Sequence, residues 1–254
     1  MSKKILVIAS NYGIWAEELQ APWDILNKAG FDLTLATFKG LRPLPGKISM
    51  DPNFIDPLQG VAMNPQSVIN RVNEILDTGE WDKPIKTTNA NMDDYDALVM
   101  VGGAGSPLDI VGNMEVHNLI YKAYKAGKPI GALCYAVGAL AFTRDPDNDY
   151  RSVIYGKRVA AHPHEWDFTG EFVFTFDREE PGNPDMKLTI NGFLFPLQFM
   201  VEDAVGNRKL VNANPKTTRE NPAVEYDHPF VTGMSVESSS AFGHKLVEVI
   251  GKGA

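Results

Sequence analysis

Apolar residues fall along this chain in two rhythms, short unbroken runs and stripes at helical spacing, and as far as Asp145 the two alternate. Lys4 to Ser10 is an apolar, β-branched run followed by Asn11 and Gly13, which predicts a buried strand opening into a loop. Trp15, Leu19, Trp23 and Leu26 then recur at steps of four, four and three, one face of a helix over 15–29 that Gly30 ends. The run 31-FDLTLATF-38 predicts a second strand, so the chain opens β-α-β, with a right-handed crossover and parallel strands. From Lys39 to about Met92 the rhythm dissolves into Pro, Gly, Asn and Asp around one helix, Pro65 to Leu76, and this stretch reads as an insertion on the sheet edge. Alternation then resumes with a strand over Asp96 to Val101 and a helix over 113–126 closed by Gly127. A strand over Pro129 to Leu133 and a helix begun by Ala136 to Phe142 follow. Strands alternating with helices predict an α/β fold, a doubly wound and mostly parallel sheet flanked by helices.

After Asp145 the pattern weakens. Residues 157–161 read as a strand, and FVFTF and KLTI alternate as a hairpin would across 180-EPGNPD-185. A helix over Pro196 to Val205, a strand over 230-FVTG-233 and a closing helix over Val236 to Ile250 complete the pattern. With no internal repeat and no linker, the expectation is a single α/β domain over 1–254, with an insertion around 40–92 and a small added β-hairpin.

Composition narrows the function. Of 254 residues 44% are hydrophobic, enough for one large core, yet every apolar run is strand-length and bounded by polar residues or glycine, so no membrane partner is expected. The opening MSKKILVIAS has neither a long apolar segment nor a cleavage site, which points to a cytoplasmic location. The net charge is −8 with Lys and Arg scattered, so nucleic acid is not an expected partner either. The single cysteine, Cys134, cannot form an internal disulfide and leaves a free thiol to explain.

Cys134 stands where a strand ends and a helix begins, in 129-PIGALCYAVGALAF-142. Ligands of α/β sheets bind at the carboxyl ends of strands, and a sharp strand-to-helix turn projects its residue as a nucleophile elbow. Ala132, Ala136 and Gly138 supply the small neighbours such a turn needs. A helix N-terminus next to the thiol is expected to lower its pKa. The loop 101-VGGAGSPLD-109 also follows a strand, and its glycines allow backbone N–H groups to face a ligand. It continues into neither a phosphate-loop Lys-Ser/Thr pair nor a dinucleotide fingerprint. N–H groups of Gly103 and Tyr135 would form an oxyanion site suited to carbonyl chemistry. In 13-GIWAEELQAPW-23 a carboxylate at the start of the first helix would face the same crevice.

These three stretches, with ATFKG, YGKRVAA, FMVEDAV and FVTGMSVESSSAFGHKL, resemble the ThiJ/PfpI superfamily, nearest its heat-shock chaperone and glyoxalase III branch. The resemblance implies a flavodoxin-like, class I glutamine-amidotransferase-like fold. It implies that Cys134 is the nucleophile and that Glu18, not Glu17, hydrogen-bonds the thiol and shuttles a proton. Gly102, Gly103 and Gly105 match the loop, with Gly103 as an oxyanion donor. The chain departs from the pattern where Tyr135 replaces the usual histidine after the cysteine and Ala104 replaces another. A phenol cannot act as a neutral-pH base, though it can donate a hydrogen bond or serve as an acid. Asp167 aligns with the acid that steadies the missing histidine, and His162 or His164 is the candidate imidazole to replace it. These two histidines with Glu165 or Asp167 lack a fixed third ligand, so no metal is expected. Trp15, Trp166 and Tyr12 are candidate pocket walls.

The implied activity is cofactor-independent conversion of a small reactive carbonyl, a 2-oxoaldehyde, to a hydroxy acid by a cysteine nucleophile, as in glyoxalase III or a deglycase. The alternatives are hydration or hydrolysis of a small nitrogen-containing substrate, as in isocyanide hydratases, and a non-catalytic redox sensor or stress chaperone. A small molecule is the expected ligand and a homodimer the expected assembly.

Overall fold

The computed structural model describes residues 2–167, 171–175, 187–191 and 195–252. The chain runs β1 (Lys4–Ile8), α1 (Ala16–Lys28), β2 (Asp32–Thr37), α2 (Gln66–Thr78), β3 (Ile85–Lys86), β4 (Ala97–Met100), α3 (Ser106–Asp109), α4 (Met114–Lys125) and β5 (Ile130–Leu133). It continues through α5 (Val137–Phe142), β6 (Arg144–Asp145), β7 (Arg151–Ser152), β8 (Val159–Ala160), β9 (Glu171–Thr175) and β10 (Lys187–Asn191). It ends with α6 (Leu197–Val205), β11 (Val211–Asn212), β12 (Val224–Asp227), β13 (Phe230–Gly233) and α7 (Ser239–Gly251).

Seven strands form the central sheet in the order β12-β13-β5-β4-β1-β2-β3. Every pairing in it is parallel except β12 with β13. The four residues of β4 and of β5 are all buried, as the continuous apolar runs require of strands covered on both faces. Helix α1 buries Leu19, Trp23 and Leu26 as the spacing predicts, and Gly30 at φ 84 turns the chain back with its N–H on the Asn27 carbonyl, 2.9 Å. Since β1 continues outward to β2 while β4 and β5 lie on its other side, the chain reverses direction between β1 and β4. That reversal opens a crevice at the carboxyl edge, where α1, the glycine loop and the cysteine turn emerge. Among the described residues no helix is long and apolar enough to cross a membrane.

The structure departs from the predicted elements in several places, the short α3, β6, β7 and β11 among them. Two strands of the central sheet, β3 and β12, have no counterpart in the reading. β3 is two residues long, and β12 is an edge strand of sequence VEYD with no buried residue, so neither leaves an apolar run to detect. The strand expected over 157–161 shrinks to β8, which pairs with β11 outside the central sheet. Side chains take up other N–H groups of this stretch: Arg158 N–H donates to Asp227 Oδ2 at 3.0 Å and Ala160 N–H to Thr232 Oγ1 at 2.8 Å, while Ala161 N–H keeps a backbone bond to the Asn212 carbonyl at 3.0 Å. The helix after the cysteine begins with a 3-10 turn, Cys134–Ala136, before α5. The expected hairpin is formed by β9 and β10, which pair antiparallel, whereas the turn at 180–185 lies outside the described residues.

Candidate active site

Cys134 is the residue after β5 and adopts φ 54, a left-handed conformation that a non-glycine residue takes only at a cost of about 1–3 kcal/mol unless its surroundings hold it. The corner turns the thiol off the sheet edge toward α1 and the loop after β4. Gly102 makes room for it. A Cβ there would collide with the Glu18 carboxylate and lie 2.7 Å from both Cys134 Cβ and the Leu133 carbonyl oxygen. Gly103, at φ 108, brings its backbone against Ile14 and Trp15, so the glycine loop serves close packing of three chain segments as much as it serves a ligand.

Glu18 stands in the first turn of α1, almost wholly buried. Its Oε2 packs against Gly102 beside the Cys134 corner and has no partner in hydrogen-bonding geometry among the described residues. Burial, helped by the negative neighbours Glu237 and Glu17, pushes its pKa up to about 8 against the opposing pull of the nearby thiol and the Gly102 N–H. Cys134 is 5% exposed, and burial together with the adjacent Glu18 raises its thiol well above the ordinary cysteine range. The expectation of a lowered thiol pKa is therefore corrected. The Tyr135 N–H and Ser235, whose Oγ lies 3.9 Å from the sulfur, pull the other way and do not offset burial. The following α5 is also only six residues long, too short for a strong dipole. Of the pair, Glu18 gives up its proton first.

Tyr135 occupies the place of the missing imidazole in an unexpected manner. Its phenol donates to Asp167 Oδ1 at 2.5 Å, and its pKa is pushed well up by burial and by the Asp167 charge. His162 Nδ1 lies 3.2 Å from the same Asp167 oxygen, with its ring 5.2 Å from the Tyr135 ring and 5.8 Å from that of Trp166. Asp167 thus has two partners, the unexpected Tyr135 phenol and the buried His162 imidazole, one of the two that the sequence offered.

Most of the residues singled out for the site meet here. Trp15, Glu18, Gly103, Ala104, Cys134, Tyr135, His162 and Trp166 line one small cavity of about 40 Å³, room for a few atoms, with Gly102 and Asp167 immediately behind it. Trp15 stacks at a tilt on Phe54, and its indole N–H is buried with no acceptor among the described residues. Tyr12 and His164 lie elsewhere: Lys39 sits over the Tyr12 ring, and His164, exposed, contacts Gln198 and Phe199. Among the described residues no three His, Cys, Asp or Glu side chains converge as metal ligands.

The reading along the chain missed other walls. Asp56, Gln59 and Met63 come from the segment after β2, and Ser235 and Val236 from the turn after β13. The first three sit in a stretch without periodicity. The last two follow a strand at the carboxyl edge, which was the available signal. Glu17 points away from the thiol and is clamped by Arg219, whose guanidinium also donates to the Met63 carbonyl at 2.7 Å.

A reversed parallel sheet with a thiol at a left-handed elbow and a buried glutamic acid set beside it defines a class of α/β proteins built around one cysteine at the turn from strand to helix. The chain belongs to the DJ-1/PfpI family, whose profile matches residues 3–164. Among curated relatives, the glutathione-independent glyoxalase hsp3101 of Schizosaccharomyces pombe is 24% identical over 182 residues, 67% of this chain and 70% of that protein. Among solved structures, the Rapid Encystment Protein 24 kDa of Francisella tularensis superposes with a TM-score of 0.70 at 18% identity, covering 98% of this chain and 99% of that one. Glyoxalase III from Candida albicans gives 0.69 at 17% identity, covering 97% of each chain. These two likenesses show the fold.

Proposed function

We propose that the protein is a cofactor-independent enzyme that converts a small 2-oxoaldehyde to the corresponding 2-hydroxy acid, with Cys134 as nucleophile and Glu18 as the proton carrier. The observation that carries the proposal is the Glu18 carboxyl, buried beside the thiol at the glycine loop and poised at a pKa of about 8, where it takes and returns protons near neutrality. The names of the relatives support the same chemistry.

The steps balance without a cofactor. Ionised Glu18 accepts the thiol proton as the sulfur adds to the aldehyde carbon, and the proton passes to the carbonyl oxygen, giving a hemithioacetal. Glu18 then removes the hydrogen from that carbon and returns it to the neighbouring ketone carbon through an enediol, leaving a 2-hydroxy thioester. Water cleaves the thioester, releasing the hydroxy acid and restoring the thiol. The buried indole N–H of Trp15 is a donor for the ketone oxygen, and the Asp167–His162 pair behind Tyr135 is the imidazole–carboxylate couple nearest the second half of the reaction.

Incubation with methylglyoxal should yield lactate. The kcat/KM should rise about tenfold per pH unit and level off near pH 8, where Glu18 is ionised. C134A should lose at least about a thousandfold and E18Q about a hundred- to ten-thousandfold in kcat. Lactate formation unchanged in C134A, or formamide from an isocyanide with no lactate from methylglyoxal, would overturn the proposal.

A further inference from the structure

Beside the thiol cavity lies a second and much larger hollow, about 680 Å³, which shares Gln59, Met63, Trp166 and Val236 with it. A substrate of a few heavy atoms bound at the thiol has no use for the larger space. The turn after β13 connects them, since Ser235 faces the sulfur, Val236 lines both spaces and Glu237 lines only the larger one. Glu237 Oε1 accepts from the Ser238 hydroxyl at 2.9 Å, but Glu237 Oε2 is buried with no hydrogen-bond partner among the described residues. A buried carboxyl oxygen without a partner costs about 1–3 kcal/mol or more, so its presence at the wall of a cavity calls for a donor that arrives with a ligand. The chamber's other ionised groups are Glu165, Lys216, Arg219 and Glu220, with Arg219 already engaged by Glu17, so the unengaged charge is mainly negative. An anionic substituent is disfavoured there and an N–H donor is favoured.

From this we infer that the substrate is a 2-oxoaldehyde carrying an extended arm with an N–H donor, an amide or amine, which lies in the large chamber and gives its hydrogen bond to Glu237. The inference rests on the proposed reaction for its electrophile and on Glu237 alone for its arm.

The test compares two aldehydes that differ by one N–H, 6-acetamido-2-oxohexanal and 6-acetoxy-2-oxohexanal, together with the unreactive 6-acetamidohexane-1,2-diol and 6-acetoxyhexane-1,2-diol. Wild-type protein should favour the acetamido aldehyde by about tenfold in kcat/KM, mostly through KM, and bind the acetamido diol about tenfold more tightly by calorimetry. E237L should reduce both ratios to near one, and E237Q, which keeps an acceptor oxygen, should retain part of each. Ratios within one protein are insensitive to any general loss of activity in the variants. Ratios near one in the wild type, or a preference that survives in E237L, would overturn the inference. If no aldehyde is turned over but the diols still show the Glu237-dependent preference, the proposed reaction fails and the binding site stands.

Discussion

At the scale of single residues, one buried carboxyl dominates. The Glu18 pKa of about 8 lies above that of an exposed glutamate, so the folded chain holds a proton that the unfolded chain releases. That contribution is complete below about pH 4.5 and disappears as pH climbs through about 8. E18Q has no proton to lose. Its urea midpoint should therefore match the wild type near pH 5 and exceed it at pH 8.5 by an amount equivalent to about 2–4 kcal/mol. Parallel curves for the two proteins would show that Glu18 is not buried as described. Cys134 was legible in the chain because an elbow leaves a local mark, the acid at the helix start was legible only as one of a pair until the family resemblance singled out Glu18, and Tyr135 was legible as a departure. The raised thiol pKa was not, because the dipole argument sees only neighbours in sequence, whereas burial and Glu18 arrive through the fold.

Between elements, two contacts can be tested. Arg219 ties the loop before β12 to α1 by clamping the buried Glu17 and reaching the Met63 carbonyl. R219M leaves that carboxylate without its cation. Because the Arg219 side chain is 34% exposed, the loss is discounted from the full buried-pair cost to about 1–3 kcal/mol, read by thermal or urea unfolding. The double variant E17Q/R219M should recover part of it, and no recovery would show that the clamp acts through packing alone. Helices α1 and α7 meet at Gly243, where a Cβ would stand 3.1 Å from the Pro22 Cα and 2.9 Å from Ile25 Cδ1. G243V should lower the unfolding midpoint by several degrees, about 1–3 kcal/mol of overpacking, and a neutral result would mean that the helices part freely. The sequence showed α1 and α7 as helices without showing that they touch. It likewise gave no sign of Arg219, since the loop around it has no periodicity.

Across the whole molecule the titrating groups divide by direction. Asp96, which accepts the Lys4 N–H, and Glu248, held between Lys245 and Lys252 at about 2, lie below their ordinary values, so what they contribute is lost as pH falls through those lowered values. Glu18 at about 8, Asp109 at about 6 and Glu237 are raised by burial, and what they contribute is lost as pH rises. With a net charge of −8 at neutrality adding self-repulsion, stability should peak at about pH 5–6, visible as the highest midpoint in a series of thermal scans. A maximum at pH 8 or above would contradict these burials. The mostly parallel, doubly wound sheet followed from alternation and handedness, while the order of its strands, the edge strands β3 and β12 and the walls from residues 56–63 did not, the last two being short, polar or irregular.

The glutamate, the glycine and the cysteine that meet at the crevice come from the ends of three neighbouring strands, and nothing in the local chain holds them together. Contacts of such long range form late in folding, after most secondary structure is present. During recovery from denaturant, helical signal should therefore return before alkylation of the lone thiol slows to its native rate. The sulfur is in that sense a built-in clock for the last stage of assembly.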